Sequence, residues 1–166
     1  MQNQNVLSAA AARWAIFALA LGGFGIGTGE FIIMGLLPGV ASSFHITEPQ
    51  AGNAIASYAL GVVVGAPVIA VIAARMVRKH LLLALMALFF IGNVGSALVG
   101  SYHGLIIARF LTGLPHGAYF GVASLVAASL VPAGKRGRAL SALMLGLTIA
   151  TLIGVPLGSW VGQVFN

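Results

Sequence analysis

The sequence predicts an all-α membrane protein of five transmembrane helices, and three observations carry that reading. Five apolar stretches, each about as long as the roughly 20 residues a bilayer span needs, alternate with short polar connections. Only 6% of the 166 residues are charged, against about 25% in soluble domains, too few to cover a water-exposed surface. Seven of the eight basic residues fall in segments that share one side of the membrane once the five stretches are threaded through it. An apolar content of 60% and a mean hydropathy of +1.06 agree with lipid as the solvent. The 23 glycines would be costly in soluble helices, but in a membrane they let helices approach closely.

The first stretch runs from Trp14 to Val40, behind a cytoplasmic tail at 1–13. A basic residue before an apolar run resembles a secretory leader. This run is too long for one and lacks a clear small-residue cleavage site, so it is read as an uncleaved span. The second stretch covers Gln50–Ala74, the third His80–Gly100, the fourth Gly104–Val131 and the fifth Ala139–Val164. Basic residues favour the cytoplasmic side of short loops. Arg13, Arg75, Arg78, Lys79, Lys135, Arg136 and Arg138 all lie there if the N-terminus is inside. The net charge of +6 sits in these short clusters rather than on a soluble face. That arrangement argues for the bilayer as partner and against nucleic acid.

An internal repeat is visible as well. Gly65-Ala66-Pro67 sits about as deep in the second stretch as Gly154-Val155-Pro156 does in the oppositely directed fifth. Matching features in antiparallel spans point to an inverted repeat, helices one to three against four to six, as in secondary transporters.

Three ionisable residues fall inside spans: Glu30, Arg109 and His116. Each costs at least about 2.5–3.5 kcal/mol at a helix centre, so such residues face the interior and usually have a task. Glu30 lies about 25 Å along the helix from Arg13, in the outer half. Arg109 is at a similar depth, and an ion pair between the two is expected. Arg109, Thr112, His116 and Phe120 share one helical face at spacings of three and four. One polar stripe opposite one carboxylate reads as a proton or substrate pathway, with a fixed salt bridge as the plainer alternative. Asn53, Ser57, Tyr58 and Asn93 read as interhelical hydrogen-bonding groups. No cofactor or catalytic metal is expected. There is no cysteine, no phosphate-binding glycine loop and no nucleophile elbow, and His45 with Glu48 makes too small a ligand set. An enzyme is therefore not expected.

These residues together resemble the major facilitator superfamily, specifically the bacterial arabinose-efflux-type permeases of the drug:proton antiporter group. The carriers are Gly29-Glu30-Phe31 and Met34-Gly35-Leu36-Leu37-Pro38 in the first helix, and Tyr58 through Pro67 in the second. Arg109-Phe110, then Pro115 through Gly121, supply the fourth, and Gly154 through Gly158 the fifth. The resemblance implies a bacterial inner-membrane exporter coupled to protons, with sugars, drugs or other amphiphiles as substrates. It implies that Glu30, Arg109 and His116 serve coupling or substrate contact, that Arg75, Arg78 and Lys79 form a cytoplasmic loop motif, and that Gly65, Pro67, Gly154, Pro156 and Gly158 serve helix packing. Two positions depart from the pattern. Ala74 stands where relatives carry an acidic residue ahead of the basic cluster, and the helix-five glycine spacing differs although Pro156 and Gly158 match. Such transporters have two six-helix halves, so residues 14–166 are expected to be part of the first bundle, missing one further helix and the second half. The alternative expectation is a short, non-transporting chain that acts as an assembly or interaction partner.

Overall fold

The computed structural model describes residues 8–164. They form α1 (Ala9–Phe44), α2 (Glu48–Ile72), α3 (Arg78–Leu98) and α4 (Tyr102–Ser129). A short 3₁₀ turn (Ala133–Lys135) leads into α5 (Arg136–Ile149), which passes through a π-helical turn (Ala150–Gly154) into α6 (Val155–Val164). The last three form one continuous rod, so five helical rods are long and apolar enough to cross a membrane, by length and composition. The fold class is thus all-α, with no strand among the described residues.

Helix ends are set by side-chain caps that short apolar windows do not show. Ser8 accepts the amide of Ala11, so α1 begins at Ala9 and takes up part of the segment expected as a tail; residues 1–7 of that segment lie outside the described residues. At its other end α1 continues to Phe44, and the expected loop from 41 shrinks to a tight corner. His45 there adopts a left-handed conformation, φ 52°, and its amide bonds back to the last turn. Thr47 and Gln50 close a capping box on α2, with Pro49 in the first turn, where its missing N–H costs nothing. Ser101 caps α4. Arg78 and Lys79 open α3, and Arg136 and Arg138 open α5, rather than lying in loops. Cations are unfavourable at the positive end of a helix macrodipole, so their place there does not come from helix stability.

Packing is organised by two intimate helix pairs, α2 against α4 and α1 against α5. A Cβ on Gly61 would fall on the Phe110 carbonyl oxygen, one on Gly65 on the Leu114 backbone, and one on Gly113 on the Tyr58 carbonyl. In the other pair, a Cβ on Gly146 would fall on the Ala20 carbonyl oxygen, and one on Gly154 on the Thr28 hydroxyl and Phe24 ring. Exchanging one for four and two for five converts the first pair into the second, as the inverted repeat requires. In that exchange Gly61 on the Phe110 carbonyl answers to Gly146 on the Ala20 carbonyl, whereas Gly154 meets only side chains and does not match Gly65. Pro67 and Pro156 do not take part, being exposed on the outer face, and Gly158 packs only on the Ile32 side chain. α3 leans on α4, where Gly92 leaves room for Thr112. The π turn stands directly before Pro156, which cannot donate to the preceding turn. Pro38, Pro67 and Pro115 leave their helices continuous, so proline alone does not account for it.

Gly65→Val should force α2 and α4 apart and destabilise the purified protein by about 1–3 kcal/mol or more in a thermal-unfolding series. Gly52→Ala, in the same helix but with nothing within 4 Å of the added methyl, should leave the midpoint unchanged or raise it. Equal effects would contradict the close-approach role of Gly65.

Candidate functional site

Arg109 is the most buried charge in the molecule, 3% exposed. It stands seven residues, about 10 Å, into α4, and has to find acceptors within the protein. Its Nη1 donates to the Gly29 carbonyl at 3.0 Å and its Nη2 to the Glu30 carbonyl at 3.3 Å. Gly29 lies in a Gly27-Thr28-Gly29 run of α1, where little side-chain bulk shields the backbone from a neighbouring helix. The guanidinium carbon also stands 4.4 Å from the centroid of the Tyr58 ring, a cation–π contact. Nε of Arg109 is buried with no hydrogen-bond partner among the described residues.

The expected side-chain ion pair between Glu30 and Arg109 is therefore not formed. Arginine instead holds the backbone at Glu30, and the carboxylate turns to α4 one level deeper. Glu30 Oε2 lies 3.6 Å from Nδ1 of His116, an ion pair when the imidazole is protonated. The same Nδ1 is 3.0 Å from the Tyr58 hydroxyl. His116 is close to the mid-length of α4, and its ring packs on Phe120 with centroids 5.2 Å apart. Both side chains remain partly open, 14% for His116 and 23% for Glu30.

One nitrogen facing two partners gives the site two states. Protonated, Nδ1 donates to the Glu30 carboxylate; unprotonated, it accepts from the Tyr58 hydroxyl. It cannot do both with a single hydrogen.

The other predicted residues fall out differently. Thr112 shares the stripe by spacing, but its side chain is fully buried, bonds to the Ala108 carbonyl at 2.7 Å and packs against Gly92 of α3, so it lines no opening. Phe120 joins the site as an apolar wall beside His116 and against Gly23. Ser57 bonds the Ile106 carbonyl and Asn53 the Tyr102 hydroxyl, both between helices. Asn93 bonds only within its own helix, to Phe89. Tyr58 was read as an interhelical hydrogen-bonding group; its hydroxyl meets His116 of α4 and its ring also takes the Arg109 guanidinium. Its one sequence signal is that a phenol sits in an otherwise apolar helix where its hydroxyl needs a partner. Arg75, Arg78 and Lys79 are exposed at one end, away from this cluster. No group of three or more potential metal ligands occurs among the described residues.

The sequence profile of the Major Facilitator Superfamily matches residues 19–166. Among similar proteins, the inner membrane transport protein YdhP of Escherichia coli K12 is 46% identical over 154 residues, covering 93% of this chain and 40% of the relative. AraJ of the same organism is 47% identical over 151 residues, 91% of this chain and 38% of the relative. A chloramphenicol resistance protein of Streptomyces lividans is 37% identical over 151 residues, 89% of this chain and 38% of the relative. The chain spans about two-fifths of the length of these relatives.

If the guanidinium works mainly through the backbone of α1, Arg109→Lys should cost about 1.5–3 kcal/mol of thermal stability through loss of a charge-assisted bond and of the planar stack. Glu30→Gln should cost less than about 1 kcal/mol, because the backbone anchor survives. Comparable losses in the two variants would restore the direct ion pair.

Proposed function

The chain belongs to the Major Facilitator Superfamily, a family of membrane transporters rather than enzymes, and from that premise we propose that it forms part of the amino-terminal bundle of a proton-coupled exporter of small amphiphilic molecules. In this reading it lies in a bacterial inner membrane with its N-terminus in the cytoplasm, as the one-sided basic residues favour. It works with a sixth helix and a second six-helix half, for which the greater length of its relatives has room. Alternating access then rocks one bundle against the other around the central site. The observation that carries the proposal is the shared Nδ1 of His116, within reach of both Glu30 and Tyr58.

The coupling step is a proton exchange. With a proton on His116, the imidazolium and Glu30 neutralise each other and draw α1 and α4 together at this level. When the proton leaves, Glu30 is released from its cation and Tyr58 takes over Nδ1. The unpaired Nε of Arg109 then supplies a donor for the freed carboxylate. A substrate with a cationic or strongly dipolar group competes for the same carboxylate, so substrate and proton alternate there. A drug-type substrate is the favoured class, since a resistance protein is among the relatives and the site combines one carboxylate with aromatic walls.

Inverted vesicles carrying the chain as its own cell makes it, offered chloramphenicol, other amphiphilic antibiotics and sugars under an imposed pH gradient, test the reading. Gradient-driven uptake of at least one compound is expected. Glu30→Gln should abolish that uptake, and Tyr58→Phe should reduce it about tenfold, with the pH profile shifted. Uptake unchanged in Glu30→Gln removes the carboxylate from coupling, and a gradient-independent rate removes the proton.

A further inference from the structure

Helix α3 meets α1 most tightly at the residue next to Glu30. Met86, Phe89 and Asn93 line one face of α3 at spacings of three and four, and two glycines of α1 stand opposite them. At Gly25 there is room, since a Cβ would meet only the Met86 Cε, at 4.0 Å. At Gly29 there is none. A Cβ there would lie 2.8 Å from Cζ of Phe89 and 3.2 Å from Oδ1 of Asn93. Neither neighbour gives way freely. Phe89 is 6% exposed and belongs to the main apolar cluster, and Asn93 is held by its bond to the Phe89 carbonyl at 2.8 Å. α3 is itself fastened to α4 at Gly92, where a Cβ would strike Thr112. The carbonyl of Gly29 is taken as well, because it accepts from Nη1 of Arg109 at 3.0 Å. At this one residue the backbone of α1 is clamped between a ring of α3 and the guanidinium of α4.

We propose that Gly29 is a positioning residue for the Glu30–His116 pair: its missing side chain seats α1 between Phe89 and Arg109, and that seat sets the reach of the Glu30 carboxylate to Nδ1 of His116. The role presupposes the proton exchange proposed above and supplies what fixes its geometry. Glu30 is the next residue along α1, so any displacement of the backbone at Gly29 passes directly to its carboxylate. The separation of 3.6 Å from Nδ1 already exceeds the ~2.7–2.9 Å of a tight charge-assisted bond, so small displacements decide whether the pair forms. Among the described residues, the ionisable groups around the imidazole are Glu30 from α1, Tyr58 from α2 and Arg109 on its own helix, which stands over the Tyr58 ring. From α3 come Phe89 and Asn93, which do not titrate, and residues 139–164 of α5 and α6 carry no ionisable side chain. Tyr119 is turned away to the Leu19 carbonyl. The carboxylate is therefore the group whose withdrawal lowers the proton affinity of His116. An opposite charge within ~4–6 Å favours a protonated base by about 1–3 pH units, and moving it outward surrenders part of that.

The test reads the proton on His116 rather than transport. The chain as its own cell makes it, carrying nitrogen-15-labelled histidine, is purified in mild detergent and titrated by NMR, with the His116 signal identified by its loss in His116→Gln. Glu30→Gln should move the His116 midpoint to lower pH by about 1–3 units. Gly29→Ala should move it the same way by about one unit, a tenfold loss of proton affinity, although Glu30 and Arg109 are both in place. Gly25→Ala, one turn away in the same helix, should leave the midpoint where it is. Adding Phe89→Leu to Gly29→Ala removes the ring tip and should restore the midpoint, a rescue that a merely destabilised helix would not show. Phe89→Tyr lengthens the ring tip against an unaltered Gly29 and should also lower the midpoint, which keeps the test decisive where Gly29→Ala does not fold. An unchanged midpoint in Glu30→Gln would overturn the proton exchange, and the role of Gly29 with it. A shift in Glu30→Gln with none, or a rise, in Gly29→Ala or Phe89→Tyr, an equal shift in Gly25→Ala, or no rescue by Phe89→Leu would overturn the role of Gly29 alone.

Discussion

A guanidinium carried into the membrane must be answered inside the protein, and the way Arg109 is answered shapes the centre of this bundle. It bonds to two consecutive carbonyls of α1 and stacks on a ring from α2. Three helices are thereby fixed at one level by one side chain. Because the arginine holds the backbone at Glu30, the Glu30 carboxylate is left for another partner. His116 supplies it, two turns deeper on the same helix. A direct ion pair would have joined the two charges; this arrangement ties one to the backbone of α1 and sets the other against a titratable imidazole.

That geometry requires helices closer than ordinary side chains permit. Gly61, Gly65 and Gly113 bring α2 against α4 backbone to backbone, which seats Tyr58 between Arg109 and His116. Gly146 does the same for α1 and α5. In lipid there is no hydrophobic gain from associating apolar helices, so van der Waals contact and interhelical hydrogen bonds carry the association. The bonds from Ser57 to Ile106 and from Tyr119 to Leu19 are of this kind. The glycines and the polar groups are therefore two parts of one device: the former bring backbones within reach and the latter use the carbonyls so exposed.

The five spans were legible because a bilayer leaves few ways to satisfy a backbone, and a long apolar run with basic flanks has little choice but to be a helix. Their ends were less so. Ser8 and Ser101 act through single capping bonds and Thr47 through a reciprocal box with Gln50, and α1 outran its apolar core at both ends. Glu30, Arg109 and His116 stood out by the cost of charge in a membrane, and all three meet in one cluster. Their pairing was not legible, because sequence gives depth along a helix but not which of two atoms at similar depth turns toward a neighbour. Thr112 shows the same limit: spacing put it on the polar stripe, yet the gap left by Gly92 draws it against α3. Tyr58 was legible as an interhelical hydrogen-bonding group, but its two partners were not. The π turn before Pro156 had no sequence signal, since three other helix-interior prolines leave their helices intact.

At the core of this account is a single proton on His116, which pairs with Glu30 while bound and yields Nδ1 to Tyr58 when it leaves. Infrared difference spectroscopy of the membrane-embedded protein, stepped through the pH range in which transport runs, observes that proton most directly. The account predicts an imidazole band that rises and falls reversibly with pH and that His116→Gln removes, accompanied by a carboxylate band that shifts with it, is lost in Glu30→Gln and survives in Glu48→Gln. A carboxylate shift that persists in Glu30→Gln, or an imidazole band that does not respond to pH, would contradict it.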